Sequence, residues 1–308
     1  MAKALGHLKV LEENLLLFVL ATAALGLAFP VLGEALYPAV TLLLALLMLC
    51  VSLTFDFGAV RRVLGRPSYQ LAATLLVYGP MSLAGLLIGR LFFGSGPLAT
   101  GQVLVGVLPT DVSAPLLVLL GRGNVALAAV LNAVNTALAP FVVPLLLLLL
   151  TGVRFEVPVG LLILELCLVI LVPMAAGILL RTRYPAATSR FDPVYSFGSS
   201  LTYLLLLLAV IGPNAGIILD YGPYALVILL AQIALNAAGY GFGAAMRWFA
   251  GSREDQIAFL FTVSKKEFTI AAAVVVASGL PGEILVPAVF YAVVQMITSP
   301  LVVRILNR

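Results

Sequence analysis

Charge is scarce in this 308-residue chain: only 10% of its residues are Asp, Glu, Lys or Arg, against about 25% in soluble domains. So few charges cannot cover a soluble protein of this size, which excludes a soluble enzyme. Histidine is limited to His7 and cysteine to Cys50 and Cys167, both inside apolar runs and without a CxxC spacing. That inventory builds neither a disulfide framework nor a His/Cys metal site. What is present instead is 63% hydrophobic residues and a mean hydropathy of +1.18. Disorder needs the opposite balance and is excluded. The isoelectric point near 9.2 comes from basic residues scattered between apolar runs. They form no basic face, so nucleic acid is not an expected partner. The lipid bilayer is.

A bilayer core about 30 Å thick takes roughly 20 apolar residues per helix. Ten runs qualify: 14–32, 39–55, 69–93, 97–120, 124–150, 158–180, 194–211, 224–249, 255–278 and 282–302. They are continuously apolar and do not alternate, so a β-barrel is not expected. The first run lacks a clear small-residue cleavage site, and Glu12 and Glu13 interrupt its approach. It reads as a retained span and not a signal peptide.

Ten passes place the basic residues very unequally. Lys3, Lys9, Arg61, Arg62, Arg66, Arg122, Arg181, Arg183, Arg190, Arg247, Arg253, Arg304 and Arg308 fall on one side, and only Arg90 and Arg154 on the other. Positive charge accumulates in the cytoplasm. The expected topology is therefore multi-pass in the inner membrane, with both termini cytoplasmic. Tyr37, Tyr221, Tyr224 and Trp248 lie near span ends, where interfacial aromatics concentrate.

Five spans precede the loop at 151–157 and five follow it. An odd number per half inverts the second half, the arrangement of many secondary transporters. The fourth span of each half is irregular. Span four contains PTDVSAP (Pro109 to Pro115) and span nine contains TVSKKEFT (Thr262 to Thr269). Paired interruptions at equivalent positions point to a transporter binding site. Pro80, Pro140, Pro144, Pro173 and Pro300 read as ordinary kinks, which membrane helices tolerate.

Asp111, Lys265, Lys266 and Glu267 would together cost ~10 kcal/mol if they faced lipid. Their formal sum is zero, which suggests mutual pairing. Successive side chains on a regular helix diverge by about 100°, so the helix at Lys265–Glu267 must unwind or let one residue snorkel. The cluster reads as a static ion-pair knot that also lines an ion or substrate path. Thr110, Ser113, Thr262 and Ser264 flank it. Asn132, Asn135 and Thr136 in span five, with Gln295 and Thr298 in span ten, either bond across helices or supply oxygens to the site. Glu165 in span six has the same two readings.

The stretch GRGNVALAAVLNAVNTALAPFVVPLLLLLLTG (Gly121 to Gly152) resembles the bile acid:sodium symporter family, most specifically in RGNVAL after a broken fourth helix. The resemblance extends over spans three to ten. It implies an all-α polytopic membrane protein with ten helices in two five-helix inverted repeats, in which broken helices four and nine cross. It also implies a panel domain from 1–68 and 158–220, a core domain from 69–150 and 221–308, and alternating access between them. The implied substrate is a small organic anion, such as a bile acid or another small carboxylate.

Aligned on RGNVAL, the family's sodium-site positions become Ala114, Pro115, Ala128, Asn132, Thr262, Lys266 and Glu267. Only Asn132, Thr262 and Glu267 offer side-chain oxygen there, and an ammonium in such a pocket repels a cation. Hence the expectation that Lys266, or Lys265, takes the place of a sodium ion and pairs with Asp111 or Glu267. Sodium or a proton is the possible coupling ion, and no other cofactor is implied. The alternative is a cation/proton antiporter of the same fold with Asp111 as proton carrier. A sibling branch that exports arsenite uses a cysteine in helix four. Thr110 stands in that neighbourhood here, so thiolate chemistry is not expected.

Overall fold

The computed structural model describes residues 15–54 and 66–307. Lys3, His7, Lys9, Glu12, Glu13, Arg61, Arg62 and Arg308 lie outside them. Along the chain run α1 (Leu15–Ala28), α2 (Pro30–Leu36), α3 (Val40–Leu53), α4 (Pro67–Tyr78), α5 (Pro80–Phe93), α6 (Pro97–Val107), α7 (Ala114–Leu120) and α8 (Val125–Thr151). Then follow α9 (Val159–Leu166), α10 (Val172–Arg183), α11 (Pro185–Ser189), α12 (Asp192–Asp220), α13 (Tyr224–Ala245), α14 (Arg253–Ser264), α15 (Phe268–Ser278) and α16 (Val286–Leu306). There is no strand among the described residues.

Among the described residues, seven stretches are long and apolar enough to cross a membrane: Pro30–Leu53, Pro67–Phe93, Val125–Thr151, Val159–Arg183, Asp192–Asp220, Tyr224–Trp248 and Gly282–Leu306. The first, fourth and ninth expected passes are not among them. Leu17–Ala28 is a shorter apolar helix beside the undescribed N-terminal residues. The fourth and ninth runs are each cut into two short helices, α6 with α7 and α14 with α15. Two boundaries also move. The second run begins at Pro30, and the seventh extends from Asp192 to Asp220.

Local signals explain the element starts and stops. Proline opens α2, α4, α5 and α6, where its missing N–H costs nothing. Asn124 caps α8 by accepting the Leu127 N–H at 3.0 Å, and Ser252 caps α14 by accepting that of Asp255 at 3.1 Å. Gly152 and Gly279 end α8 and α15 in the left-handed conformation, which glycine adopts without a Cβ penalty. Pro140, Pro144 and Pro300 sit inside continuous helices. Pro80 does more than kink: α4 stops at Tyr78 and α5 restarts at the proline. Pro173 follows a π-helical turn at Cys167–Leu171, whose wider ladder gives the ring room.

The chain divides into two compact units, 1–57 with 164–220 and 58–163 with 221–308. In the first, α12 packs against α1, α2 and α3, and α10 packs against α3. In the second, α5 packs on α6, α13 packs on α5, α14 and α16, and α8 touches α6, α7 and α14. Close backbone approach is set by small residues. Gly239 and Gly243, one turn apart on α13, face Ser264 and Leu260 of α14, and a Cβ on Gly239 would stand 2.7 Å from Ser264 Cα. Gly239→Val is therefore expected to destabilise the protein by about 1–3 kcal/mol, lowering Tm in a detergent-solubilised unfolding scan. Gly241→Ala, which meets nothing within 4 Å, should leave Tm unchanged. Equal effects of the two would contradict this packing.

Candidate functional site

The two interruptions lie against one another in the second unit. Between α6 and α7, residues 108–113 leave the helix; between α14 and α15, residues 265–267 do. Proline at 109 and 115 cannot supply the fourth helix's ladder, and three consecutive charges cannot share one face of the ninth. Main-chain bonds tie the breaks reciprocally. The Asp111 N–H donates to Lys265 O at 3.4 Å, and the Glu267 N–H donates to Pro109 O at 3.0 Å. The Thr110 hydroxyl adds a bond to Thr262 O at 2.7 Å.

Thr110, Asp111, Thr262, Ser264, Lys265, Lys266, Glu267 and Gln295 are all fully buried. The expected ion-pair knot is not there. Among the described residues, no lysine or arginine nitrogen lies within 4.0 Å of a carboxylate oxygen of Asp111 or Glu267; the ion pairs are Arg66–Asp255 and Arg181–Asp192. Each charge is matched to neutral groups instead. Lys266 Nζ donates to Val77 O at 3.0 Å, Gly106 O at 2.9 Å and Leu108 O at 2.8 Å. These carbonyls stand at the C-terminal ends of α4 and α6, where four carbonyls per helix lack an intrahelical donor and the dipole favours a cation. An ammonium has three N–H bonds, and three oxygens take them.

The carboxylates take the opposite poles. Glu267 accepts the Val112 N–H at 2.9 Å and the Thr269 hydroxyl, at the starts of α7 and α15. Asp111 accepts the Ser113 N–H at 2.8 Å, the Ser113 hydroxyl and Gln295 Nε2 at 3.2 Å. Pairing with helix ends thus replaces pairing with one another. The chain's own acids thus occupy N–H groups at the starts of these helices.

Lys265 is held differently. Its Nζ donates to Gln295 O at 3.0 Å and Ser299 Oγ at 2.8 Å. Gln295 staples both breaks, accepting the Lys266 N–H at 2.9 Å and donating to Lys266 O at 3.1 Å besides Asp111. Asn132 Nδ2 donates to Asp111 O at 3.2 Å, and the Thr136 hydroxyl donates to Asn132 Oδ1 at 3.0 Å. Asn135 reaches Thr110 Oγ1 at 3.5 Å and accepts from the Thr74 hydroxyl at 2.8 Å. Thr298 is not at the break; its hydroxyl goes to Asn236 Oδ1. Glu165 sits exposed on α9 without an ion pair.

Several participants carried no usable signal in the chain. Val77, Gly106 and Leu108 contribute only carbonyls. Asn236 and Tyr291 both donate to Ser264 O, at 3.0 and 2.7 Å, and were detectable only as polar residues in apolar runs. The asparagine of RGNVAL also has a role beyond its cap. Asn124 Nδ2 donates to Asp255 Oδ1 at 2.7 Å, and Arg66 meets Asp255 Oδ2 at 2.9 Å. One carboxylate thereby joins the starts of α4, α8 and α14.

Paired broken helices meeting around buried charges within a set of long apolar helices define a secondary transporter. The family follows from comparison: the model of the Sodium Bile acid symporter family matches residues 41–221, and the chain belongs to that family. It is thus a multi-pass membrane transporter and not an enzyme. It is 29% identical over 266 residues to the uncharacterized protein YbaS of Bacillus subtilis, covering 83% of this chain and 85% of that one. It is 31% identical over 197 residues to the probable chloroplastic sodium/metabolite cotransporter BASS1 of rice, covering 64% of this chain and 48% of that one. The hepatic sodium/bile acid cotransporter of rat is 26% identical over 183 residues, with 58% and 49% covered.

The match of donors to acceptors at Lys266 has a measurable consequence. Lys266→Met leaves three buried carbonyls without that donor, at about 1–3 kcal/mol each. It should lower Tm more than Lys265→Met, which frees two acceptors. The reverse order in a thermal unfolding scan would contradict the arrangement described.

Proposed function

We propose that this chain is a ten-pass transporter of the inner membrane with both termini cytoplasmic, built from two inverted five-helix halves. It moves a small organic anion by alternating access of a core (69–150 and 221–308) against a panel (1–68 and 158–220). Lys266 performs the task that a sodium ion performs in relatives named as sodium cotransporters. One observation carries this: a fully buried ammonium in a three-carbonyl cage at the junction of the breaks. Oxygen ligands and a single positive charge are what a sodium site offers and requires, and here the charge is tethered. The binding residues are Thr110, Asp111, Ser113, Asn132, Asn135, Thr136, Thr262, Ser264, Lys265, Lys266, Glu267 and Gln295.

A thermal-shift panel of small carboxylates, bile acids included, run in sodium and in N-methylglucamine buffers, tests this reading. A ligand raises apparent stability by mass action. The expected hit stabilises the wild type equally in both buffers, and Lys266→Gln makes that stabilisation sodium-dependent. Strict sodium dependence that survives Lys266→Ala would sink the replacement.

One observation favours a second reading, the cation/proton antiporter with Asp111 as carrier: among the described residues, the Asp111 carboxylate has no cationic partner within 4.0 Å. Proton flux in proteoliposomes on adding sodium or potassium, with no organic solute, supports that reading. No flux alongside a positive carboxylate result rejects it.

A further inference from the structure

Lys265 and Lys266 are neighbours in sequence, equally buried and both held by hydrogen bonds, yet their acceptors differ in number and kind. Lys266 has three acceptors, all carbonyl oxygens, which bind a proton poorly and pass none on. This is full satisfaction of the charged form. Lys265 has two, Gln295 O and Ser299 Oγ. A neutral amine has two N–H bonds and an ammonium three, so the uncharged form satisfies this setting completely.

The second Lys265 acceptor is also part of a chain. Ser299 Oγ lies 3.3 Å from the Tyr240 hydroxyl, and Tyr240 is only half-buried on α13. Two hydroxyls therefore extend from a buried amine on the ninth-helix break to α13, and hydroxyls both accept and donate.

We propose that the two lysines divide the work: Lys266 is the fixed tethered cation, and Lys265 exchanges a proton with the outside through Ser299 and Tyr240. The idea rests on the lysine-for-sodium reading and supplies its coupling ion. The step is balanced. The Lys265 ammonium N–H bond breaks, nitrogen keeps the electron pair, and the proton passes to Ser299 Oγ. The serine hydroxyl turns away from Gln295 O, to which it now donates, and gives its own proton to Tyr240 Oη. The phenol proton leaves to water. Gln295 O keeps the Lys265 N–H throughout. The charged groups near Lys265 are Asp111 on the fourth-helix break and Glu267 on its own; Tyr240 on α13 meets it through Ser299, Tyr291 on α16 bonds the adjacent Ser264 O, and Lys266, its chain neighbour, turns to other acceptors. Ser299 and Tyr240 relay the proton in this scheme; neither touches organic solute.

The test is a pH jump on proteoliposomes adsorbed to a solid-supported membrane, without sodium and without organic solute. It therefore fails or succeeds independently of the carboxylate panel. The wild type should give a transient current that slows in D2O. Lys265→Met and Lys265→Gln should abolish it. Tyr240→Phe and Ser299→Ala should slow it on the order of 100-fold, and Thr202→Val on α12, whose hydroxyl donates to Gly198 O, should not change it. Size-exclusion profiles confirm that each variant is folded. A wild type without current, a current that survives both Lys265 substitutions, or equal rates in wild type and Tyr240→Phe would overturn the proposal.

Discussion

Three of the buried charged side chains at the paired breaks, Asp111, Lys266 and Glu267, are matched to groups at helix ends and not to one another. Interrupting a helix in a membrane exposes carbonyls on one side of the cut and N–H groups on the other, with opposite partial charges. Two such cuts placed together form a pocket with a negative and a positive pole. Lys266 fills the first with three N–H···O bonds, and Glu267 and Asp111 fill the second. The breaks and the charges require each other. Without the breaks the charges would have no partners, and without the charges the freed backbone groups would be unsatisfied in a dry interior.

Neutral polar side chains fix the two breaks in register. Gln295 bonds to both, and Asn132 and Thr110 bind main-chain atoms across them. Small residues on α13 let its backbone close on α14. This combination gives each of the buried charged side chains hydrogen-bond partners.

Much of this was legible in the chain. Continuous apolar runs gave the helical class, because length and hydropathy suffice once the solvent is a bilayer. PTDVSAP and TVSKKEFT marked both interruptions, since proline and consecutive charges are incompatible with a helix ladder whatever surrounds them. What failed was the partner assignment. Opposite charges totalling zero suggested ion pairs, but the sequence does not display backbone groups that become available only when a helix stops. Helix ends at Tyr78 and Val107, one of them set by Pro80, decided where the lysine points.

The sequence by itself determined that the chain is helical, membrane-embedded, interrupted twice and related to a family of transporters. Those properties depend on composition and local order, which no neighbour can change. Only the tertiary structure decided which atoms satisfy Asp111, Lys265, Lys266 and Glu267, and that the adjacent lysines occupy different surroundings. Their acceptors come from Val77, Gly106, Leu108, Gln295 and Ser299, remote in the chain. Two residues one peptide apart diverge by geometry alone, and a linear chain carries no record of which way each one turns.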